Sequence, residues 1–145
     1  YHHEIKGGNS RLDSIQAAVL LEKLTIFDEE LEMRNTINSC YRKFLNNAQY
    51  IPKDYQSALA LFSIVLGSRK KRDDLIERLS KKNIPTVIYY KFPIHLMKAF
   101  NYLDYKKGDL SISEKLSNSI LSLPMHPYLC EQDIQDIVQA IIEKL

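Results

Sequence analysis

Residues that could carry chemistry are few in this chain, and their spacing is uninformative. His95 and His126 lack a second His, Cys or carboxylate at metal-ligand spacing, so we predict no metal site. The adjacent His2 and His3 indicate a solvated loop, with a role in lining a site as the alternative. The two cysteines form neither a metal motif nor a disulfide framework, and no Ser, Cys or Lys nucleophile has a recognisable partner arrangement. These residue types therefore do not by themselves demand an enzyme. The histidines are His2, His3, His95 and His126, and the cysteines are Cys40 and Cys130.

The stretch GGNSR, residues 7–11, is a better candidate for binding an anion. Glycine lets the backbone approach a ligand closely, and a helix N-terminus offers free N–H groups with partial positive charge. Asn9 can donate an amide N–H, and Arg11 can donate a bidentate pair of hydrogen bonds to phosphate. The alternative is a plain helix cap, in which Asn9 or Ser10 caps the helix and Asp13 serves its first turn.

Composition excludes several classes of protein. The chain has 145 residues, 45% hydrophobic and 26% charged, and a net charge of +2. This gives no general argument for nucleic-acid or membrane binding, and no apolar run is long enough to span a bilayer. The cationic run at 69–72 is followed by Asp73 and Asp74, which favours a solvated helix start over a phosphate-binding or nucleic-acid patch. Two cysteines without a framework favour a reducing, cytoplasmic setting.

Apolar periodicity predicts an α+β domain with a small sheet covered by helices. The first helix, from Arg11 to Leu24, is apolar around most of its circumference, which predicts burial on several sides. The sequence Ser111-Ile112-Ser113-Glu114 has the spacing of a capping box. Other predicted helices are 28–46, 69–82, 111–121 and 131–145; predicted strands are 58–67, 86–90 and, weakly, 48–51; and 121–129 is predicted to be extended.

Three stretches carry a resemblance to a known family. GGNSRLDSIQAAVLLEKL, residues 7–24, resembles the G-x-N-S-R-x-D-x-x-Q-A-A-x-L-x-x-K-L signature of the DegT/DnrJ/EryC1/StrS sugar aminotransferases. VIYYKFPIHLMKAF, residues 87–100, resembles the family's Y-Y-P-x-P-L-H-L-Q segment, and LSLPMHPYL, residues 121–129, its L-S-L-P-M-H-P-x-L segment. The three stretches occur in the family's order and cover almost the whole chain, so we identify it as a member.

The resemblance implies that residues 1–145 are the C-terminal, small domain of a pyridoxal-phosphate enzyme of fold type I. That domain has a small, mostly antiparallel sheet and includes here an interdomain loop and helix at 7–27. No stretch resembles the large domain that carries the Schiff-base lysine, and the chain begins at Tyr1. The expectation is therefore a processed product or a piece of a longer polypeptide, without catalytic residues and inactive alone.

Site residues follow from the matching positions. Asn9 and Arg11 correspond to residues that reach the cofactor phosphate of the neighbouring subunit in a homodimer. His95, with Tyr90 behind it, lies in the segment that approaches the sugar nucleotide, whereas His126 is expected to be a structural turn residue. Lys91 stands where the family has proline, so a carboxylate or pyrophosphate contact is open there. Met97 stands where the family has glutamine, which removes a donor and an acceptor.

The implied reaction is transfer of an amino group from an amino acid, commonly glutamate, to a keto-sugar nucleotide for surface polysaccharide or lipopolysaccharide. The pattern is most similar to enzymes of UDP-linked 3-keto-N-acetylglucosaminuronate, and 4-keto substrates stay open. A hypothesis of another class is a non-catalytic binding or assembly module that retains the fold.

Overall fold

Five α-helices and a two-stranded antiparallel sheet form the domain in the computed structural model, which describes residues 3–48, 52 and 54–142. The helices are α1 (Ser14–Leu24), α2 (Phe27–Phe44), α3 (Arg69–Lys81), α4 (Ser111–Ser119) and α5 (Glu131–Ile142). The strands are β1 (Phe62–Val65) and β2 (Ile120–Leu123), and two short 3₁₀ helices occupy Ile94–Leu96 and Lys98–Leu103. The predicted α+β class with a small antiparallel sheet covered by helices is confirmed.

The sheet is short, with four paired residues in each strand. Phe62 pairs with Leu123 and Val65 with Ile120. Single antiparallel bridges extend the sheet on each side, from Ala48 to Ile64 and from Val87 to Ser122. Alternation of side chains across a strand places the hydroxyls of Ser63 and Ser122 on the face opposite Ile64, where they hydrogen-bond each other at 2.9 Å and are buried.

Three helices pack on the apolar face of the sheet. Helix α5 has the apolar periodicity of a helix that buries one face, and its predicted start at residue 131 is confirmed. Its predicted last residues, 143–145, lie outside the described part of the chain. Helix α3 ends at Lys81, close to its predicted end. The shared core contains Ile37, Tyr41, Leu45, Leu75, Leu79, Ile134, Ile137, Val138 and Ile141 around Ile64 and Leu121.

Several predicted elements differ from the structure. The strand predicted at 58–67 is reduced to β1, and the strand predicted at 86–90 is wrong as a strand: only Val87 pairs, through one bridge to Ser122, before the chain turns at Tyr89 and Tyr90. Of the weak strand at 48–51, Ala48 forms a bridge and 49–51 lie outside the described residues. The extended stretch at 121–129 begins within β2 as predicted.

The predicted capping box before α4 is also wrong. Leu110, not Ser111, is the N-cap residue, and it provides no side-chain hydrogen bond. The Glu114 carboxylate instead accepts a hydrogen bond from the Gly108 N–H at 2.7 Å. The physical reason is that the helix is capped one residue earlier than predicted, which places Glu114 at the fourth helical position and not at the third that a capping box requires.

Candidate functional site

The turn that precedes α1 has a defined conformation. Asn9 Oδ1 accepts a hydrogen bond from the Arg11 N–H at 3.0 Å, and Arg11 has a positive φ of 57°. Asp13 is the N-cap residue of α1 and accepts a hydrogen bond from the Gln16 N–H at 2.8 Å. The plain capping alternative placed Asn9 or Ser10 in that role, and the structure gives it to Asp13. Asn9 and Arg11 are therefore not consumed in capping the helix.

Arg11 presents a charged group that is available for a ligand. Within the part of the chain that the structure describes, its guanidinium makes no ion pair or side-chain hydrogen bond, and the residue is exposed. Gly7 and Gly8 have no other atoms within 4 Å of a Cβ built on them, so the backbone there lies open. An exposed guanidinium beside an open glycine turn is suited to a phosphate that approaches from outside this chain.

Helix α1 itself is not buried in this chain. None of its residues is buried, and Ile15 is 80% and Leu21 66% exposed. The prediction that its apolar circumference is covered on several sides is thus wrong for the chain alone. A contiguous apolar surface of this kind is typical of a binding surface and is uncommon on a protein that has no partner. Its other exposed apolar residues are Val19, Leu20 and Leu24, and Leu12, just before the helix, is exposed as well.

The two residues predicted to bind substrate differ in accessibility. Tyr90 is 54% exposed and its ring meets that of Tyr89 edge to face, with centroids 5.6 Å apart. His95 is only 7% exposed, in the short 3₁₀ helix that follows Pro93. Both lie on the same segment, but the segment turns between them, so only Tyr90 presents its side chain broadly to the exterior.

His95 takes part in a chain of hydrogen bonds. Its Nε2 lies 3.2 Å from Glu114 Oε1, which also accepts the Gly108 N–H. The Gly108 N–H, with a smaller contribution from His95, lowers the pKa of Glu114, so this carboxyl stays ionised at neutral pH. Glu114 was missed as a partner of His95 because it lies 19 residues away and was assigned to a capping box. No local sequence pattern predicts a contact between two residues this far apart in the chain.

Arg72 is the buried member of the cationic run at the start of α3. Only 2% of the residue is exposed. It donates to the Ser117 carbonyl at 2.8 Å and to Asp73 Oδ1 through both Nε and Nη2. The hydrogen bond from Arg72 is the main cause of the lowered pKa of Asp73. The prediction that the whole run at 69–72 is solvated is therefore wrong at Arg72, which joins α3 to α4.

Metal and membrane chemistry find little support. Among residues 3–48, 52 and 54–142, no three potential ligating side chains come together to hold a metal ion. No helix within those residues has the length and apolar character needed to cross a bilayer.

His126 lines an open groove of about 590 Å³ together with Asp133 and Asp136, whose charge is unsuited to a phosphate.

The sequence matches a model described as the DegT/DnrJ/EryC1/StrS aminotransferase family over residues 1–142. The chain belongs to this family, and the predicted membership is confirmed. It is 37% identical over 147 residues to the "Pleiotropic regulatory protein" of Geobacillus stearothermophilus, an alignment that covers 99% of this chain and 40% of that protein.

Two further relatives agree with this assignment. The UDP-2-acetamido-2-deoxy-3-oxo-D-glucuronate aminotransferase of Pseudomonas aeruginosa is 32% identical over 145 residues, covering 97% of this chain and 39% of its own length. The crystal structure of a DegT DnrJ EryC1 StrS aminotransferase from Brucella abortus is 44% identical, with a TM-score of 0.78, over 90% of this chain and 35% of that one. The chain thus spans about 40% of the length of the curated relatives it matches. These relatives do not favour the alternative of a non-catalytic module.

Proposed function

We propose that this chain is the C-terminal domain of a pyridoxal-phosphate-dependent aminotransferase that acts on a keto-sugar nucleotide. Membership of an aminotransferase family over residues 1–142 is the observation that carries the proposal. The part that holds the cofactor lysine would belong to the remaining length that relatives have, so this chain alone would not transaminate. Its share of the work is to bind phosphate, to form one wall of the sugar site and to contribute to a subunit interface.

Asn9 and Arg11 are suited to the phosphate of the cofactor. The Asn9 side chain is tied by its oxygen to the Arg11 N–H, which leaves the amide nitrogen to donate. The Arg11 guanidinium has no competing partner among the described residues and can form two parallel hydrogen bonds with phosphate oxygens. When bound, pyridoxal phosphate supplies the electron sink for amino transfer, while the protein supplies binding and orientation. The family resemblance is the reason for assigning this phosphate to the neighbouring subunit of a homodimer, and the exposure of Arg11 is compatible with that assignment.

We place the sugar nucleotide near Tyr90 and His95. Tyr90 is the accessible member and can contact the sugar directly. His95 Nε2 is engaged by Glu114, so a direct contact from His95 would use its other ring nitrogen. The substrate proposed is a UDP-linked 3-keto-N-acetylglucosaminuronate, as in the name of the Pseudomonas aeruginosa relative, with glutamate as donor and a cytoplasmic pathway to surface polysaccharide or lipopolysaccharide.

The experiment that tests this proposal is an Arg11→Ala substitution in the complete enzyme. Loss of a charged hydrogen-bond donor to phosphate costs about 1.5–3 kcal/mol, so affinity for pyridoxal phosphate should fall roughly 10- to 100-fold. Cofactor retention is measured by absorbance after dialysis. The control, Lys23→Ala, removes an exposed cation from the last turn of the same helix. Equal cofactor affinity in Arg11→Ala and the unaltered enzyme would refute the assignment.

Activity provides the second arm of the test. The complete enzyme should release 2-oxoglutarate from glutamate in the presence of the keto-sugar nucleotide, and the 145-residue chain with added cofactor should not. Amino transfer by the isolated chain would contradict the proposal that the cofactor lysine lies outside these 145 residues.

A further inference from the structure

A second cationic site lies apart from Arg11, in a pocket of about 150 Å³ between α3, α4 and the turn at residues 91–93. Arg69 and Arg72 line it from α3, Lys91 from the turn, and Lys107 from the loop before α4. Glu114 and Asn118 line it from α4. The walls thus come from four separate segments of the chain, with a buried arginine, Arg72, among them.

The charges around this pocket do not cancel. Arg69 and Arg72 share one carboxylate, Asp73, at 3.5 Å and 2.8 Å. Lys91 and Lys107 have no ion pair among the residues that the structure describes. Asp73 lies beside the pocket; among the described residues that line it, Glu114 is the one carboxylate, and its Oε1 is already bonded to the Gly108 N–H and to His95. Four cations against two carboxylates leave an excess of two positive charges in one concave site, which attracts a multivalent anion.

The loop that carries Lys107 is held in place by the hydrogen bonds around Glu114. Gly108, the next residue, donates its N–H to Glu114 Oε1, and Glu114 is bonded to the buried His95. The turn is closed again by the Lys106 N–H, which donates to Asp109 Oδ2 at 2.7 Å. Because the backbone on both sides of Lys107 is held by these bonds, the loop itself needs less ordering when the lysine side chain binds a ligand, which lowers the entropic cost of binding.

We propose that this pocket binds a diphosphate group through Arg69, Lys91 and Lys107. A diphosphate has the charge to offset the excess and several acceptor oxygens for separate donors. Asn118 can add a neutral contact at the rim. That the diphosphate belongs to a nucleotide sugar rests on the proposed function; free pyrophosphate shares the chemistry and is the alternative source. This would give His95 a positioning role, through Glu114 and Gly108, beyond any contact with the sugar.

The test is an NMR titration of the 145-residue chain with UDP, inorganic pyrophosphate and uridine. Saturable shifts are expected at the amides of Lys91, Lys107 and Asn118 with UDP and pyrophosphate, and not with uridine. The variant Lys91→Gln/Lys107→Gln should bind UDP about tenfold more weakly, since two screened charges are lost. The control Lys23→Gln/Lys43→Gln removes the same charge from exposed positions outside the pocket and should change affinity less than about twofold.

Two results would overturn the inference. Absence of saturable shifts at the pocket would show that no diphosphate binds there, and equal weakening in the control variant would show that the anions bind by net charge alone. Binding of pyrophosphate without UDP would support a diphosphate site and assign it to free pyrophosphate instead of a nucleotide. None of these measurements involves the cofactor or amino transfer, so their failure is distinguishable from failure of the proposed function.

Discussion

At the scale of single residues, Tyr41 shows how a polar group is accommodated in the core. Its ring stacks on Phe62 at a centroid distance of 4.6 Å, and the residue has no exposed surface. The hydroxyl donates to the Pro124 carbonyl at 3.0 Å and thereby joins α2 to the segment that follows β2. A buried hydroxyl is tolerated here because its hydrogen bond replaces the one it would make with water.

Tyr41→Phe should lower the free energy of unfolding by about 1–2 kcal/mol at neutral pH, because the Pro124 carbonyl loses its donor. Burial raises the pKa of Tyr41 above its ordinary value of 10.0. Above pH 10 the unfolded chain therefore releases this proton before the native one does, and the contribution of Tyr41 falls by about 1.4 kcal/mol per pH unit. Urea unfolding at about pH 8 and about pH 11 should show the deficit of Tyr41→Phe shrinking as pH rises; a pH-independent deficit would contradict this account.

Arg72 is expected to be worth far more to stability than its charged neighbours. Arg72→Met leaves the Ser117 carbonyl without its donor and removes the bonds to Asp73, so we expect a loss of about 2–4 kcal/mol. Lys70→Met, two residues earlier on the opposite side of α3 and exposed, should change stability by less than about 0.5 kcal/mol. Urea denaturation of both variants decides the matter, and equal effects would mean that the buried bonds of Arg72 contribute little.

At the scale of elements, α1 differs from the amphipathic helices of the core because its apolar side chains are not covered within this chain. Its sequence is apolar almost all round, yet its residues are exposed in this chain. We therefore expect Ile15→Gln and Leu21→Gln to change the stability of the isolated chain by less than about 0.5 kcal/mol. Leu79→Ala, in the core, should cost about 2–5 kcal/mol. A large loss from Ile15→Gln would show that α1 is buried after all.

The helices were more predictable than the strands, for a physical reason. Helices α3 and α5 are predicted by the periodicity of their apolar residues and by the charges at their ends. Both signals come from residues that are close together in the sequence. Strand pairing depends on partners far along the chain: Val87 pairs with Ser122, and the residues just after Val87 pair with no strand in the part of the chain that the structure describes. A β-rich pattern such as TVIYY therefore predicts extended backbone better than it predicts a sheet.

The same distinction holds for the candidate sites. Asn9 and Arg11 could be picked out because their turn is local and their neighbours in sequence are their neighbours in space. The pair of His95 and Glu114, and the pocket between Arg69, Lys91 and Lys107, are assembled from segments that only the fold brings together. Composition recorded the charges but could not show that four of them face one cavity.

At the scale of the whole molecule, the exposed face of α1 and the turn at Arg11 point outward from a core that is complete without them. The core joins α2, α3 and α5 to the sheet, whereas α1 contributes no buried residue. The exposed apolar side chains of α1, beside a guanidinium without an ion pair among the described residues, are features we expect at a contact with another protein surface.

The buried hydroxyls of Ser63 and Ser122 have a consequence for how the strands find their alignment. Two strands of four residues offer few contacts to distinguish the native pairing from one displaced by a single residue. A slip of one strand by one residue would turn its serine toward the helices and its core side chains, Phe62 and Ile64 in β1 or Leu121 and Leu123 in β2, away from them. The serine pair therefore favours the native alignment, in which the two hydroxyls bond each other while these apolar side chains stay in the core.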